Sequence, residues 1–503
     1  MRKCPTSPNW SRCSLSQTTR LAEGLAVDRK VDVAILGAGT AGLSAMAQVR
    51  RAKKSFVLIN GGELGTTCAR VGCMPSKALI QVAHDLHRRE IFDREGIEGG
   101  EALSANWPNT MEHVRDLRDI LVDRVLANST DQMGDEFIEG YARFIEPYVL
   151  QVGEQKIGAD RIVLACGTRP VVPPAWADFG ERILTSDTVF ELEDLPRSIA
   201  VVGLGVIGLE LGQALSYLGV SVTGFDQQET LAGITDPAAR QSAIELMSRS
   251  FPIYLGHAVE LKEEAGQIRV TAGDQSVVVD AVLASMGRRS NLDWLAMENS
   301  GVDCDAHGQP IFDRHTMRCG ESRVFIAGDI SGTDQVLHEA TDEGRIAGYN
   351  AARDSAVAFK RKTPLAITFT SPNICQIGVA FDDLPADQVE MGEMRLGPVG
   401  RALIMGANRG LLRVYAERST GRLLGATLIA ERAEHLAHLL AWCIDEQMTV
   451  LQMLRKPFYH PSMEEALQGA LRDVFSKLNQ KTDSADAPPE LEALHEPDSS
   501  TSV

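Results

Sequence analysis

Short, nearly uniform apolar runs that end in glycine turns and lead into amphipathic stretches are the recurring pattern of this chain. Residues 31–36 read as a buried strand; Gly37, Ala38, Gly39, Thr40, Ala41 and Gly42 follow, and a helix is expected over 43–52. A second strand over 56–59 ends at Asn60. The same order returns farther on. A strand over 198–202 meets Gly203, Leu204, Gly205, Val206, Ile207 and Gly208, a helix runs to about 218, and a strand over 220–225 ends at Asp226. In both copies the residue that closes the second strand lies 18 positions past the third glycine, from Gly42 to Asn60 and from Gly208 to Asp226.

Between the copies, 101–135 reads as helical and a hairpin spans 140–157. Apolar runs at 162–165 and 281–284 each lead into a glycine turn, at Gly167 and Gly287, and are expected to be seams where the chain passes between domains. A buried strand over 324–328 ends at Asp329, and a helix begins near Leu337 and His338. Past about 353 the pattern changes to alternating strands, over 366–369, 374–379, 411–416 and 423–429, with a helix over 431–446.

Glycine at the three fingerprint positions lets the turn close, admits a pyrophosphate to the backbone and packs the helix on its strand. Two copies with one internal spacing therefore predict two bound dinucleotides. Asp226 can accept from both ribose hydroxyls and repels a 2′-phosphate, and Gln227, Gln228, Glu229 and Thr230 behind it include no Arg or Lys. NAD is expected there over NADP. At the first copy Asn60 offers the ribose a neutral hydrogen bond of about 0.5–1.5 kcal/mol where an acid would give about 1.5–3 kcal/mol.

The redox candidates are Cys68 and Cys73, five positions apart in the stretch that runs from Gly65 to Lys77. Pro75 suits a first helical turn, which puts Cys73 at a helix start, where unpaired backbone N–H groups favour a thiolate. Gly72 lets the two cysteines approach. The pair reads as a dithiol that opens and closes; the alternative is two inert buried thiols. Near the C-terminus, His460 is followed five positions on by Glu465, a carboxylate able to orient the ring as a general base requires. No metal is expected.

Length and charge limit the partners. With 503 residues the chain calls for several domains, and its 44% hydrophobic and 23% charged content is that of a soluble globular protein. A formal net charge of -18 leaves no basic patch for nucleic acid, and no apolar run is long enough to span a membrane. The 9 cysteines, odd in number and mostly scattered, suit a reducing compartment. A cytoplasmic location is expected, or the mitochondrial matrix if the acid-free, Ser/Thr-rich start of the chain is a transit peptide. Residues 480–503, with six acids and one lysine, read as a solvated tail.

Taken together, the Cys68–Cys73 stretch with Pro75, Ser76 and Lys77, both glycine fingerprints, the Gly287–Arg288–Arg289 turn, the strand ending at Asp329, the His338–Glu339–Ala340 stretch with Glu343 and Gly344, and the His460-to-Glu465 signature resemble the flavoprotein disulfide reductases. These are the class I pyridine nucleotide-disulfide oxidoreductases, and the likeness is greatest to the dihydrolipoamide (dihydrolipoyl) dehydrogenases. The resemblance covers 31 to about 475. It implies an α/β fold of two Rossmann-like dinucleotide-binding domains, for FAD and NAD, and a C-terminal α+β dimerisation domain. The expected boundaries are an extension over 1–30, the FAD-binding domain over 31–170 and 281–352, the NAD-binding domain over 171–280, the interface domain over 353–479 and the tail over 480–503.

By position, the resemblance makes Cys68 the interchange thiol and Cys73 the thiol nearest the flavin. Lys77 approaches the flavin and pairs with Glu210, and His460, backed by Glu465, is the base, supplied across a homodimer. Gly37, Gly39, Gly42, Asn60, Thr67, Lys77, Ala142, Gly167, Asp329 and Leu337 are expected around FAD; Gly203, Gly205, Gly208, Asp226, Val259 and Gly287 around NAD. The implied reaction is oxidation of dihydrolipoamide, free or on a lipoyl domain of a 2-oxo acid dehydrogenase complex, with NAD+ through a Cys68–Cys73 disulfide. The alternatives are another NAD(P)H-dependent disulfide or quinone reductase of the family, or a flavin-bearing scaffold. Asn60, Thr66, Arg70 and Ser290 depart from the family pattern, and Arg70 is expected to add positive charge beside the thiols.

Overall fold

The structure, a computed structural model, describes residues 26–333 and 335–478. The transit-peptide candidate at the start of the chain and the acidic tail lie outside the described residues. Strand β1 (Arg29–Leu36) enters two residues before position 31, and its last four side chains are buried. Helix α1 (Thr40–Arg51) and strand β2 (Phe56–Asn60) complete the first fingerprint. Then come α2 (Thr67–Arg70), α3 (Cys73–His87), α4 (Phe92–Glu95) and α5 (Trp107–Ala127). The expected helix over 101–135 is thus shorter at both ends. Asn106 caps it by accepting from Asn109 N at 3.1 Å, Pro follows in the first turn, and the chain leaves at Asn128.

Strands β3 (Phe137–Glu139), β4 (Ala142–Glu146), β5 (Val149–Val152) and β6 (Gln155–Leu164) return to the first sheet, where β1 runs parallel to both β2 and β6. The short β7 (Thr168–Pro170) then leads to the second unit. There β8 (Ile183–Leu184), β9 (Ser198–Val202), α6 (Val206–Tyr217), β10 (Ser221–Asp226), α7 (Pro237–Met247) and β11 (Ile253–Leu255) repeat the fingerprint topology. A meander of β12 (Glu260–Glu264), β13 (Gln267–Ala272) and β14 (Gln275–Val279) precedes β15 (Ala281–Ala284). β15 pairs in parallel with β9, in a sheet ordered β11-β10-β9-β15-β8. Position 281 therefore lies inside the second sheet, and the crossing falls at Gly287, not at 280. β16 (Arg288–Ser290) runs antiparallel to β7, so the outgoing and returning chains cross side by side.

The first unit closes with β17 (Phe312–Asp313), β18 (Arg318–Cys319), β19 (Val324–Ile326) beside β6, and α8 (Leu337–Ala351). α8 lies directly on α1: a Cβ on Gly344 or Gly348 would overlap the backbone of Ala41 or Ala45. The third unit is an antiparallel sheet of β20 (Leu365–Thr368), β21 (Asn373–Gly378), β22 (Val389–Arg395), β23 (Leu411–Glu417) and β24 (Leu423–Ala430), with α9 (Gly400–Ile404), α10 (Ala433–Asp445), α11 (Val450–Leu454) and α12 (Glu464–Leu478). Its order is β20-β21-β24-β23-β22. The edge strand β22 is absent from the sequence expectation. The mixed α/β class and the C-terminal α+β unit agree with it.

Candidate active site

Cys68 lies on the four-residue α2, and Cys73 is the first residue of α3, behind Gly72. A Cβ on Gly72 would sit 2.9 Å from Thr67 O and 3.1 Å from Cys68 Cα, so glycine is what lets the α3 entry press against the turn bearing Cys68. Cys68 is half-buried and Cys73 is exposed. A hydrogen bond from Cys68 lowers the Cys73 thiol to about 6, with Lys77 adding to the effect. Burial and the Glu210 carboxylate oppose it. Because Cys73 is open to solvent over much of its surface, the hydrogen bond and the cation set the direction. Cys68 is pushed the other way, by the same hydrogen bond and then by burial. The two thiols are thus pushed in opposite directions, Cys73 down and Cys68 up.

Lys77 stands one turn into α3, and its Nζ lies 2.7 Å from Glu210 Oε2 on α6. The Glu210 side chain is buried, at 4% exposure, and its second oxygen accepts from Phe369 N at 2.8 Å. The ammonium also lies 4.8 Å from the centre of the Phe369 ring. One buried carboxylate therefore joins all three units behind the cysteines. From sequence Phe369 is only the end of an expected strand, and nothing local marks it as part of the site: the contact with Glu210 spans 159 positions. Arg70 departs from expectation too. Its guanidinium pairs with Glu63 at 2.9 Å, and the groups that act on the thiols are Lys77 and Glu210.

The two glycine folds match atom for atom in their turns. Ala38 N donates to Asn60 Oδ1 at 3.1 Å, and Leu204 N donates to Asp226 Oδ2 at 2.6 Å, each across 22 positions. Gly37 and Gly203 take φ of +108° and +96°, and a Cβ on Gly42 or Gly208 would overlap the turn carbonyl. At Gly39 and Gly205, which cap α1 and α6, an added Cβ would meet no protein atom within 4 Å. The middle glycine of each copy thus faces open space at a helix N-terminus, the cradle a pyrophosphate requires.

Asp329 follows β19, and burial raises its pKa against the pull of Arg288. Thr168 Oγ1 donates to Asp329 Oδ2 at 3.3 Å and accepts from Arg288 Nε at 2.9 Å, so both seams converge on this carboxylate. Ala142 is buried on β4, Gly167 turns at φ +65°, Leu337 opens α8 at the surface, and Thr67 is exposed on α2. In the second fold, Val259 is half-buried and Gly287 turns at φ +98° with room around it. His460 and Glu465 meet in the third unit: Nδ1 lies 2.8 Å from Oε1, and Ser462 N donates to Oε2 at 3.0 Å. These bonds hold the carboxylate below its usual range, the one from His460 first. The ring itself is 79% exposed.

Residues 31–354 match the pyridine nucleotide-disulphide oxidoreductase family, and 365–471 match its dimerisation domain. The chain belongs to this family. The oxidoreductase is 25% identical over 466 residues to a soluble pyridine nucleotide transhydrogenase of Mycobacterium tuberculosis, covering 90% of this chain and 98% of that protein. It is 29% identical over 464 residues to dihydrolipoyl dehydrogenase 2 of Haloarcula marismortui, covering 87% and 95%. A mercuric reductase of Streptomyces lividans is equally similar, at 29% over 471 residues, covering 89% and 97%. Among solved structures, the HOCl-induced flavoprotein disulfide reductase RclA of Escherichia coli shares the fold with a TM-score of 0.77 at 22% identity, covering 89% of this chain and 99% of that one. The family binds FAD and a nicotinamide cofactor, and the two open glycine cradles of this oxidoreductase fit two such dinucleotides. Among the described residues, no helix is long and apolar enough to cross a membrane.

Proposed function

We propose that this oxidoreductase oxidises dihydrolipoamide-type dithiols with NAD+, acting as a homodimer through a Cys68–Cys73 disulfide. The observation that carries this reading is the geometry of the cysteine pair: Gly72 lets the α3 start bearing Cys73 press against the turn bearing Cys68, with Lys77, paired to the buried Glu210, one turn behind. In the oxidised enzyme, His460 of the partner subunit takes the proton of a substrate thiol. The resulting thiolate attacks Cys68 and displaces Cys73 as the stabilised anion. As the second substrate thiol displaces Cys68 and closes the substrate disulfide, Cys68 takes up the proton held by His460, which accepts the second thiol's proton in its place. Bound FAD would supply the acceptor for the electron pair of the dithiol, and bound NAD+ would supply the hydride acceptor.

Around these steps the chain holds charge. Lys77 balances the thiolate, and Glu210 fixes Lys77. Glu465 keeps a proton on His460 Nδ1, which leaves Nε2 to act, and the exposure of the ring suits a role across a subunit interface. Gly37, Gly39, Gly42, Asn60, Thr67, Ala142, Gly167, Asp329 and Leu337 would hold FAD; Gly203, Gly205, Gly208, Asp226, Val259 and Gly287 would hold NAD. Asp226 favours NAD over NADP by repelling a 2′-phosphate. A second reading, a reductase of a different disulfide or a quinone, is favoured by the Arg70–Glu63 ion pair in the redox loop. Steady-state rates with dihydrolipoamide, glutathione disulfide and quinones, each with NAD and NADP, separate the two. The first reading requires dihydrolipoamide with NAD+ to lead.

A further inference from the structure

We propose that Tyr141 and Trp294 form an aromatic wall at the adenine end of the first dinucleotide fold and retain its cofactor between turnovers. The inference rests on FAD occupying that fold. Asn60 closes β2 and receives the glycine turn through Ala38 N, which makes this strand end the ribose end of the site. Gly140 N donates to Asn60 O at 2.9 Å and brings the next residue, Tyr141, over the chain beyond the ribose position. Its ring lies flat on Gly61, where a Cβ would come within 2.5–2.7 Å of three ring carbons.

Trp294 meets Tyr141 edge to face, with centroids 5.7 Å apart at 80°. Its turn is tied on both sides: Asn291 N donates to Gly167 O at 3.1 Å, and Leu295 O accepts from Phe144 N at 2.8 Å. The Arg169 guanidinium lies 4.6 Å from the indole centre, held by Asp293 Oδ1 at 3.0 Å. Despite this support, Tyr141 stays 61% exposed and Trp294 49% exposed. Two adjoining aromatic rings left open on rigid tethers form a corner in which a purine can stack on one ring and meet the other edge-on.

Among the described residues, the second fold has no such pair of exposed rings. After Asp226 the chain carries Gln227, Gln228 and Glu229, and Tyr254 on the neighbouring strand lies against the buried ring of Phe225, 5.5 Å away. The asymmetry matches the use of the two sites. A nicotinamide dinucleotide leaves after every turnover, whereas FAD stays, and Asn60 lacks the charge-assisted bond that Asp226 can offer a ribose.

The test follows FAD release from the diluted full-length holoprotein by flavin fluorescence. Trp294→Leu and Tyr141→Leu are each expected to speed release about tenfold. Trp294→Phe, which keeps a stacking face, is expected to stay within about twofold of the parent. Melting temperatures at saturating FAD are expected to be the same for all. Release from both Leu variants at the parental rate overturns the wall, and so does a Trp294→Phe protein that loses FAD as fast as Trp294→Leu. A parent that purifies without flavin overturns the occupancy on which the wall rests.

Discussion

Lys77 Nζ lies 2.7 Å from Glu210 Oε2, across 133 positions of sequence, and the two charges act on the Cys73 thiol in opposite senses. Lys77→Met is therefore expected to raise the Cys73 pKa above about 6, and Glu210→Gln to lower it, as read by thiolate absorbance of the reduced protein. Lys77→Met also leaves the buried Glu210 carboxylate unpaired. Its cost is expected near the low end for a broken buried pair, about 3 kcal/mol, because the Lys77 side chain is 33% exposed. Denaturant unfolding measures it.

The reduced enzyme is expected to lose its Cys73 thiolate as the pH falls through about 6. The sign follows from a lowered thiol pKa: the anion dominates above that value and the neutral thiol below it. Since the Cys68 hydrogen bond is the largest lowering influence, Cys68→Ala is expected to move the titration midpoint up toward 9.0, the ordinary thiol value. A midpoint that stays near 6 in Cys68→Ala would assign the shift to Lys77.

His460→Gln is expected to leave flavin content intact and to lower turnover by about two to four orders of magnitude, the range for losing a general base. Glu465→Gln keeps the ring but removes the carboxylate 2.8 Å from Nδ1, and a smaller loss is expected. Steady-state turnover at saturating dithiol checks both.

The middle glycines permit a selective test. An alanine methyl at Gly39 or Gly205 meets no protein atom, so both variants are expected to fold normally. Gly39→Ala is expected to purify with less FAD, and Gly205→Ala to retain FAD while its KM for NAD+ rises. Alanine at Gly42 or Gly208, where the methyl overlaps the turn carbonyl, is expected to destabilise the whole protein.

What the sequence discloses and what it hides follow from the range of the forces involved. The glycine folds, α3 behind Gly72 and the His460–Glu465 pair rest on neighbours in sequence or on a repeated spacing, and they can be read residue by residue. β22 could not: its residues Val389, Glu390, Met391, Gly392, Glu393, Met394 and Arg395 mix charge and glycine. It becomes a strand because α12 packs so closely that a Cβ on Gly392 would overlap Ala470 O. The contact between Glu210 and Phe369 N is equally silent in sequence, because a backbone amide carries no residue signature. Arg70 shows the opposite error. Its place between the cysteines suggested a charge acting on them, yet Glu63 holds it.

The most direct test of the account is the rate at which dihydrolipoamide reduces NAD+ in the parent and in Cys68→Ser, both loaded with FAD. Steady turnover is expected in the parent and a fall to the uncatalysed background in Cys68→Ser. Turnover of Cys68→Ser at the parental rate would contradict it.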